Sequence, residues 1–236
     1  MTRTAPAARH APRAVLFDLD GTLLDTIADL TTAANRMLVE LGRPPRTQQQ
    51  IHGFVGKGIA DLVRRCLTED AAASADEIEA ALPVFRRHYA ALNGHSTRIY
   101  PGVPETLAAL RARGLRLAVV TNKAEAFTLP LLAAMGLAEH FEVVVSGDTL
   151  AVRKPDPAVL HHACTLLGVA AHEALMVGDS ANDALAARAA GMPVMLVSYG
   201  YSEGLAVDTL ECDGLLSSTL QLLDHLALPV GERTAG

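Results

Sequence analysis

Tryptophan is missing, aromatic residues make up only 4% of the 236-residue chain, and only three of its 20 Lys and Arg residues are lysines: Lys57, Lys123 and Lys154. With a net charge of −6 and few rings on which bases could stack, the chain lacks the surface that phosphate backbones recruit, so nucleic acid is not an expected partner. Cysteine is equally sparse: Cys66, Cys164 and Cys212 are odd in number, far apart and without a CxxC. That favours reduced thiols in a cytoplasmic protein over a disulfide framework or a zinc site. No apolar run approaches the roughly 18 residues of a membrane span, so no membrane partner is expected. Residues 1–13 hold three Arg and no acid, with no apolar stretch. They read as a disordered tail rather than a secretory signal, with a short Arg-rich transit peptide as the alternative. Residues 229–236 read as a frayed C-terminal tail.

What is present suits a buried core, since half the residues are hydrophobic and 19% are charged. Ala14-Val-Leu-Phe17 is a short apolar run ended by Asp18, the pattern of a buried strand opening into a loop. Leu115 to Val120, Val143 to Val145, Leu175 to Val177 and Val194 to Val197 repeat that pattern. Between them lie helical stretches followed by Gly114, Gly136, Gly168 and Gly191, each where a left-handed residue would end a helix. Pro104 and Pro157 fit first helical turns, with Asp156 as an expected N-cap. Alternating strands and helices predict an α/β fold with a doubly wound parallel sheet. From Thr26 to His95 the alternation stops: Ile27, Leu30, Ala34, Leu38 and Leu41 recur at helical spacing, as do Leu62, Val63 and Cys66. The expected organisation is a sheet domain over 14–25 and 96–228 with an all-helical cap inserted over 26–95, its segments separated by Gly42-Arg-Pro-Pro45 and by Thr68 to Glu79.

Ligands of an open parallel sheet bind beyond the carboxyl ends of its strands. The residues there are Asp18, Asp20, Gly21 and Thr22, then Thr121 and Asn122, then Gly178, Asp179, Ser180, Asn182 and Asp183. Four acids meeting at one edge repel each other unless a cation is present, and hard oxygen ligands suit Mg²⁺. Lys154, in a loop stiffened by Pro155 and Pro157, supplies the charge that a phosphate would need, and Thr121 a hydroxyl. Read singly, Asp18-Leu-Asp20-Gly21 could be a turn and Asp179-Ser180 a helix cap, Thr121 could end a strand and Lys154 could be solvated. The nine His show no ligand spacing.

With Asp18-Leu-Asp20-Gly21-Thr22, Val-Val-Thr121-Asn122, Lys154-Pro155 and Gly178-Asp179-Ser180-Ala-Asn182-Asp183 in this order, the chain resembles the haloacid dehalogenase superfamily of phosphohydrolases over nearly its whole length. The resemblance implies that Asp18 is a nucleophile that becomes an aspartyl phosphate and that Asp20 is the general acid and then the base. It implies that Thr121, Asn122 and Lys154 hold the substrate. It also implies that Asp18, the Asp20 backbone carbonyl and Asp179 bind Mg²⁺, with Asp183 behind them as an outer or water-mediated partner. Members that cleave carbon–halogen bonds lack the second acid, so Asp20 favours phosphate esters and a small phosphorylated metabolite as the partner.

Within the superfamily, the helical cap, Thr121-Asn122-Lys123 and Gly56-Lys57-Gly58 look most like bacterial phosphoglycolate phosphatases. That implies hydrolysis of 2-phosphoglycolate, with Lys57 swinging from the cap onto the substrate carboxylate. Lys57 could equally be a solvated residue on a helix-entry turn. The alternatives are a β-phosphoglucomutase-like sugar phosphomutase, disfavoured by Phe54-Val-Gly-Lys-Gly58 where an Arg-Glu-Asp pattern would be expected, and a non-catalytic phosphate-binding module.

Overall fold

Six short apolar segments form one parallel sheet. The computed structural model describes residues 11–68 and 72–226; most of the tail expected over 1–13, and all of that expected over 229–236, lie outside the described residues. In chain order come β1 (Ala14–Phe17), β2 (Leu24–Asp25), α1 (Ile27–Glu40), α2 (Gln48–His52), α3 (Ile59–Leu67), α4 (Ala75–Ala90) and β3 (Arg98–Ile99). There follow α5 (Val103–Ala112), β4 (Arg116–Val120), α6 (Glu125–Ala134), β5 (Val143–Val145), α7 (Ala158–Leu167) and β6 (Ala174–Gly178). The described chain ends with α8 (Ala181–Ala189), β7 (Val194–Val197), β8 (Gly214–Leu216) and α9 (Gln221–His225).

The sheet order is β5-β4-β1-β6-β7-β8, all parallel. β1 is buried along its whole length because both sheet faces are covered, which is why it reads as an unbroken apolar run. Its side chains alternate between two cores. Val15 and Phe17 pack with α5, α6 and α9, while Ala14 and Leu16 pack with α7 and α8. The chain leaves β1 for β4 and β5 on one side, then returns for β6, β7 and β8 on the other. The switch in direction therefore falls at β1, where a parallel sheet opens a crevice. Phe17 pairs with Val119 of β4 and Val177 of β6, which brings the residues that follow these strands to one level.

The helices α1 to α4 have an apolar cluster of their own, built on Leu30, Met37, Leu38, Val63, Phe85 and Tyr89, which also takes in Phe127 of α6 and Tyr201. The chain enters and leaves this insert through β2 and β3, a two-residue antiparallel pair not expected from the sequence, and the three-residue edge strand β8 was not expected either. Neither is long enough to show a period. Leu41 is exposed, since α1 ends at Glu40. The break expected over Thr68 to Glu79 is shorter in the structure. Ser74 accepts from the Glu77 amide while Glu77 accepts from the Ser74 amide, and this capping box starts α4 at Ala75. α7 starts at Ala158 with Pro157, not Asp156, in the N-cap position; Asp156 stands one residue earlier and accepts from Ala158 N at 2.9 Å.

Candidate active site

The loop after β1 turns back at once: Asp18 N continues the ladder to Val177 O at 2.9 Å, and the Gly21 amide bonds Leu24 O at 2.9 Å. Gly21 makes the turn with φ +85°, and a Cβ on it would stand 2.3 Å from Asp179 Oδ2. A Cβ on Gly200 would stand 2.2 Å from Asp179 Cβ. Only glycine lets these two loops close on the Asp179 side chain.

Three carboxylates meet in the crevice. Asp18, Asp179 and Asp183 each offer an oxygen within 4.8 Å of the others. Lys154 Nζ lies 2.9 Å from Asp18 Oδ1 and 2.6 Å from Asp183 Oδ1, at a residue only 2% exposed. A compact ammonium fits between two acids where a planar guanidinium would not. Burial would pull the Lys154 ammonium down, but Asp18 and Asp183 outweigh it and hold it above its ordinary range. The Asp18 carboxyl is pushed up to about 6, first by burial and then by Asp183, against the opposing pull of Lys154. Asp179 is raised well above the usual carboxylate range by burial and by the charges of Asp18 and Asp183.

The acids differ in how their oxygens are engaged. Asp183 Oδ2 accepts from the amides of Asp179 and Ser180 and from Ser180 Oγ, while Oδ1 takes Lys154. Asp183 is thus a helix cap for α8 and an anchor for Lys154 at once. Among the described residues Asp179 takes only Thr22 Oγ1 at 3.1 Å on Oδ1 and the Tyr201 amide at 2.7 Å on Oδ2. Asp179 and Asp18 therefore retain lone pairs for a hard cation, and an oxygen-only donor set of this size fits Mg²⁺ or a similar divalent ion.

Asp20 turns its carboxylate away from that cluster. Its Oδ1 accepts from Thr26 Oγ1 at 2.7 Å, and Lys123 Nζ reaches Oδ1 and Oδ2 at 3.0 and 3.1 Å. Only its backbone was expected among the metal ligands, so the side chain is left for other work. Thr121 is buried and its hydroxyl accepts from the Lys123 amide at 3.2 Å. Asn122 ties three segments together: its side-chain amide donates to Gly56 O and Lys154 O, and its Oδ1 accepts from Lys154 N. These bonds use the side-chain amide for architecture, and Asn122 also lines the cleft. Lys57 is exposed and does not line the cleft. The turn that carries it is close by, since Gly56 O also accepts from Asn182 and Lys57 O accepts from Arg153.

The cleft runs between the strand ends and the inserted helices. Asp18, Asp20, Thr121, Lys123, Asp179 and Ser180 line one side, and Leu30, Val55, Ile59, Leu62 and Tyr89 the other. Thr26, Tyr89 and Tyr201 were not singled out as site residues from sequence, and Lys123 was noted only as part of the Thr121-Asn122-Lys123 run, with no role assigned to it.

A family model described as haloacid dehalogenase-like hydrolase matches residues 15–197. The chain is 53% identical over 208 residues to a phosphoglycolate phosphatase of Nitrosospira multiformis, covering 87% of this chain and 92% of that one. Among solved structures, a predicted phosphoglycolate phosphatase from Haemophilus somnus is similar with a TM-score of 0.87 and 31% identity, over 92% of this chain and 98% of that one. CbbY from Rhodobacter sphaeroides in complex with phosphate is similar with a TM-score of 0.76 and 27% identity, over 92% of this chain and all (100%) of that one.

Proposed function

The chain belongs to the haloacid dehalogenase-like hydrolase family and is a phosphoric monoester hydrolase, and from that premise we propose that it converts 2-phosphoglycolate to glycolate and phosphate through an aspartyl phosphate on Asp18. The observation that carries this reading is the Lys154 ammonium held against Asp18 with Asp179 alongside. The substrate is supported by the relatives' names.

Asp18, the Asp20 carbonyl and Asp179 would hold Mg²⁺, which when bound supplies positive charge against the phosphoryl oxygens and offsets the repulsion among the acids. Asp18 attacks phosphorus in line with the ester oxygen, and Asp20 gives that oxygen its proton as the P–O bond breaks. Water then attacks the phosphorus of the aspartyl phosphate while Asp20 takes the water proton, which releases phosphate and restores the Asp18 carboxylate. Lys154 and the Thr121 hydroxyl steady the transferring oxygens. Residues 26–95 act as a cap that excludes water. A reducing cytoplasmic setting is supported by the three free cysteines.

The test is phosphate release from 2-phosphoglycolate, sugar phosphates, a sugar bisphosphate, nucleotides and pyrophosphate, with Mg²⁺ and with chelator. 2-Phosphoglycolate should lead the panel, and chelation should stop all turnover. A sugar bisphosphate turned over preferentially would overturn the substrate while leaving the phosphatase. In the same panel Lys57→Ala should lower kcat/KM for 2-phosphoglycolate about tenfold or more, the scale of one charged hydrogen bond, and spare esters without a carboxylate. Equal losses would make Lys57 a solvated turn residue.

A further inference from the structure

Lys123 is 5% exposed, and its ammonium has one acidic partner among the described ion pairs, Asp20. A buried ammonium persists only where its donors are satisfied. Here they are: Asp20 Oδ1 and Oδ2 lie at 3.0 and 3.1 Å, and Tyr89 OH of α4 at 2.5 Å. The tyrosine ring also stands beside the ammonium, its centroid 4.8 Å from Nζ. Three N–H groups meet three acceptors, so Lys123 has no donor left for a substrate although it lines the cleft.

The effect on Asp20 is geometric. Oδ1 is engaged twice, by Thr26 and by Lys123, whereas Oδ2 takes Lys123 alone. The carboxyl plane is thereby fixed, and Oδ2 is the oxygen left to carry a proton toward the cleft. We infer that Lys123 is a positioning residue for Asp20, and that Tyr89 makes this positioning depend on the seating of the helical insert over the strand ends. The inference rests on the reading of Asp20 as the acid that protonates the leaving group. Tyr89 is itself held firmly: it is fully buried, stacked on Phe85 of its own helix and tilted against Phe127 of α6. Movement of α4 relative to the sheet would draw the hydroxyl off Lys123 and free the ammonium to shift from Asp20.

An acid matters most when the leaving oxygen is basic. The experiment therefore measures kcat/KM, which reports the steps through P–O cleavage, on p-nitrophenyl phosphate, phenyl phosphate and alkyl esters including 2-phosphoglycolate. The proteins are the full chain with Mg²⁺ as wild type, Asp20→Asn, Lys123→Met, Tyr89→Phe and the Asp20→Asn/Lys123→Met double variant. Lys123→Met should lose about 100-fold or more on alkyl esters, the scale of general acid catalysis, and far less on p-nitrophenyl phosphate, whose phenolate departs unprotonated. Asp20→Asn should show the same steepening, and the double variant should be no steeper than Asp20→Asn. A Lys123→Met loss that is equal on all esters, with Asp20→Asn still steep, overturns the role of Lys123 alone. A flat Asp20→Asn profile overturns the acid assignment itself. Tyr89→Phe keeps the charge and removes one acceptor, and should steepen the profile by about three- to tenfold, the scale of one ordinary hydrogen bond. Should Lys123→Met not fold, an unchanged Tyr89→Phe profile overturns the inference on its own.

Discussion

Asp18 and Asp179 are acids kept where acids are least comfortable. Burial comes first among the causes that raise both, and their neighbours add to it. A carboxyl raised to about 6 binds its proton more tightly folded than unfolded. The stability this contributes is fully present below the unfolded value near ~4 and is lost as pH rises through the folded one. Above that point the metal-free fold bears the cost of an ionised carboxylate that is buried first and set beside Asp183 second. A divalent cation offsets this cost, so Mg²⁺ should raise the melting temperature clearly at about pH 7.5 and little at about pH 5. Thermal unfolding with Mg²⁺ and with chelator at both pH values checks this. An equal rise at both would mean that the ion does not bind at these acids.

Among the elements, the insert is fastened at its base by a residue outside the chemistry. Asp29 of α1 is buried and accepts from the amides of Gly94, Ser96 and Thr97 and from Thr97 Oγ1, at 2.7 to 3.2 Å, which locks the strand of return to the helix of departure. Asp29→Ala leaves the buried Thr97 amide and hydroxyl and the half-buried Gly94 amide without their acceptor and should destabilise the protein by about 2 kcal/mol, measured by denaturant unfolding. A change within ~0.5 kcal/mol would deny that clamp. This element also shows what sequence could convey. α1 and α3 were legible because their apolar residues repeat at helical spacing, and the core strands because runs buried on both faces end in acid or glycine. β2 and β3 were not, since two residues carry no period and their pairing spans the whole insert. The same holds within the site. Asp18, Asp179 and Asp183 follow strands closely and announce themselves. The pairing of Lys123 with Asp20 crosses 103 residues, and its partner Tyr89 sits in a helix whose face looks like ordinary core.

Across the whole molecule, the topology explains why the chemistry is where it is. β1 is flanked by β4 and β6, so the loops after all three open onto one crevice, and the insert that begins just beyond β1 lies over it. Asp18 from the first loop, Thr121 and Lys123 from the second and Asp179 from the third face the same cleft. Lys154 joins from the loop before α7. Among the described residues no helix is long and apolar enough to cross a membrane. The central claim is that phosphate passes through Asp18, and it is tested most directly by trapping the intermediate. The enzyme is mixed with ³²P-labelled substrate and Mg²⁺ and quenched in acid within one turnover; one aliquot is counted for protein-bound ³²P, and a second is reduced with borohydride, which releases the phosphate and converts a phosphorylated aspartate to homoserine. The wild-type chain should carry acid-stable ³²P in the first aliquot and homoserine at position 18 by mass spectrometry in the second, and Asp18→Asn, which should remain folded and lose turnover, should show neither. Label at any other residue, or a full burst of product with no label on the protein, would contradict the account.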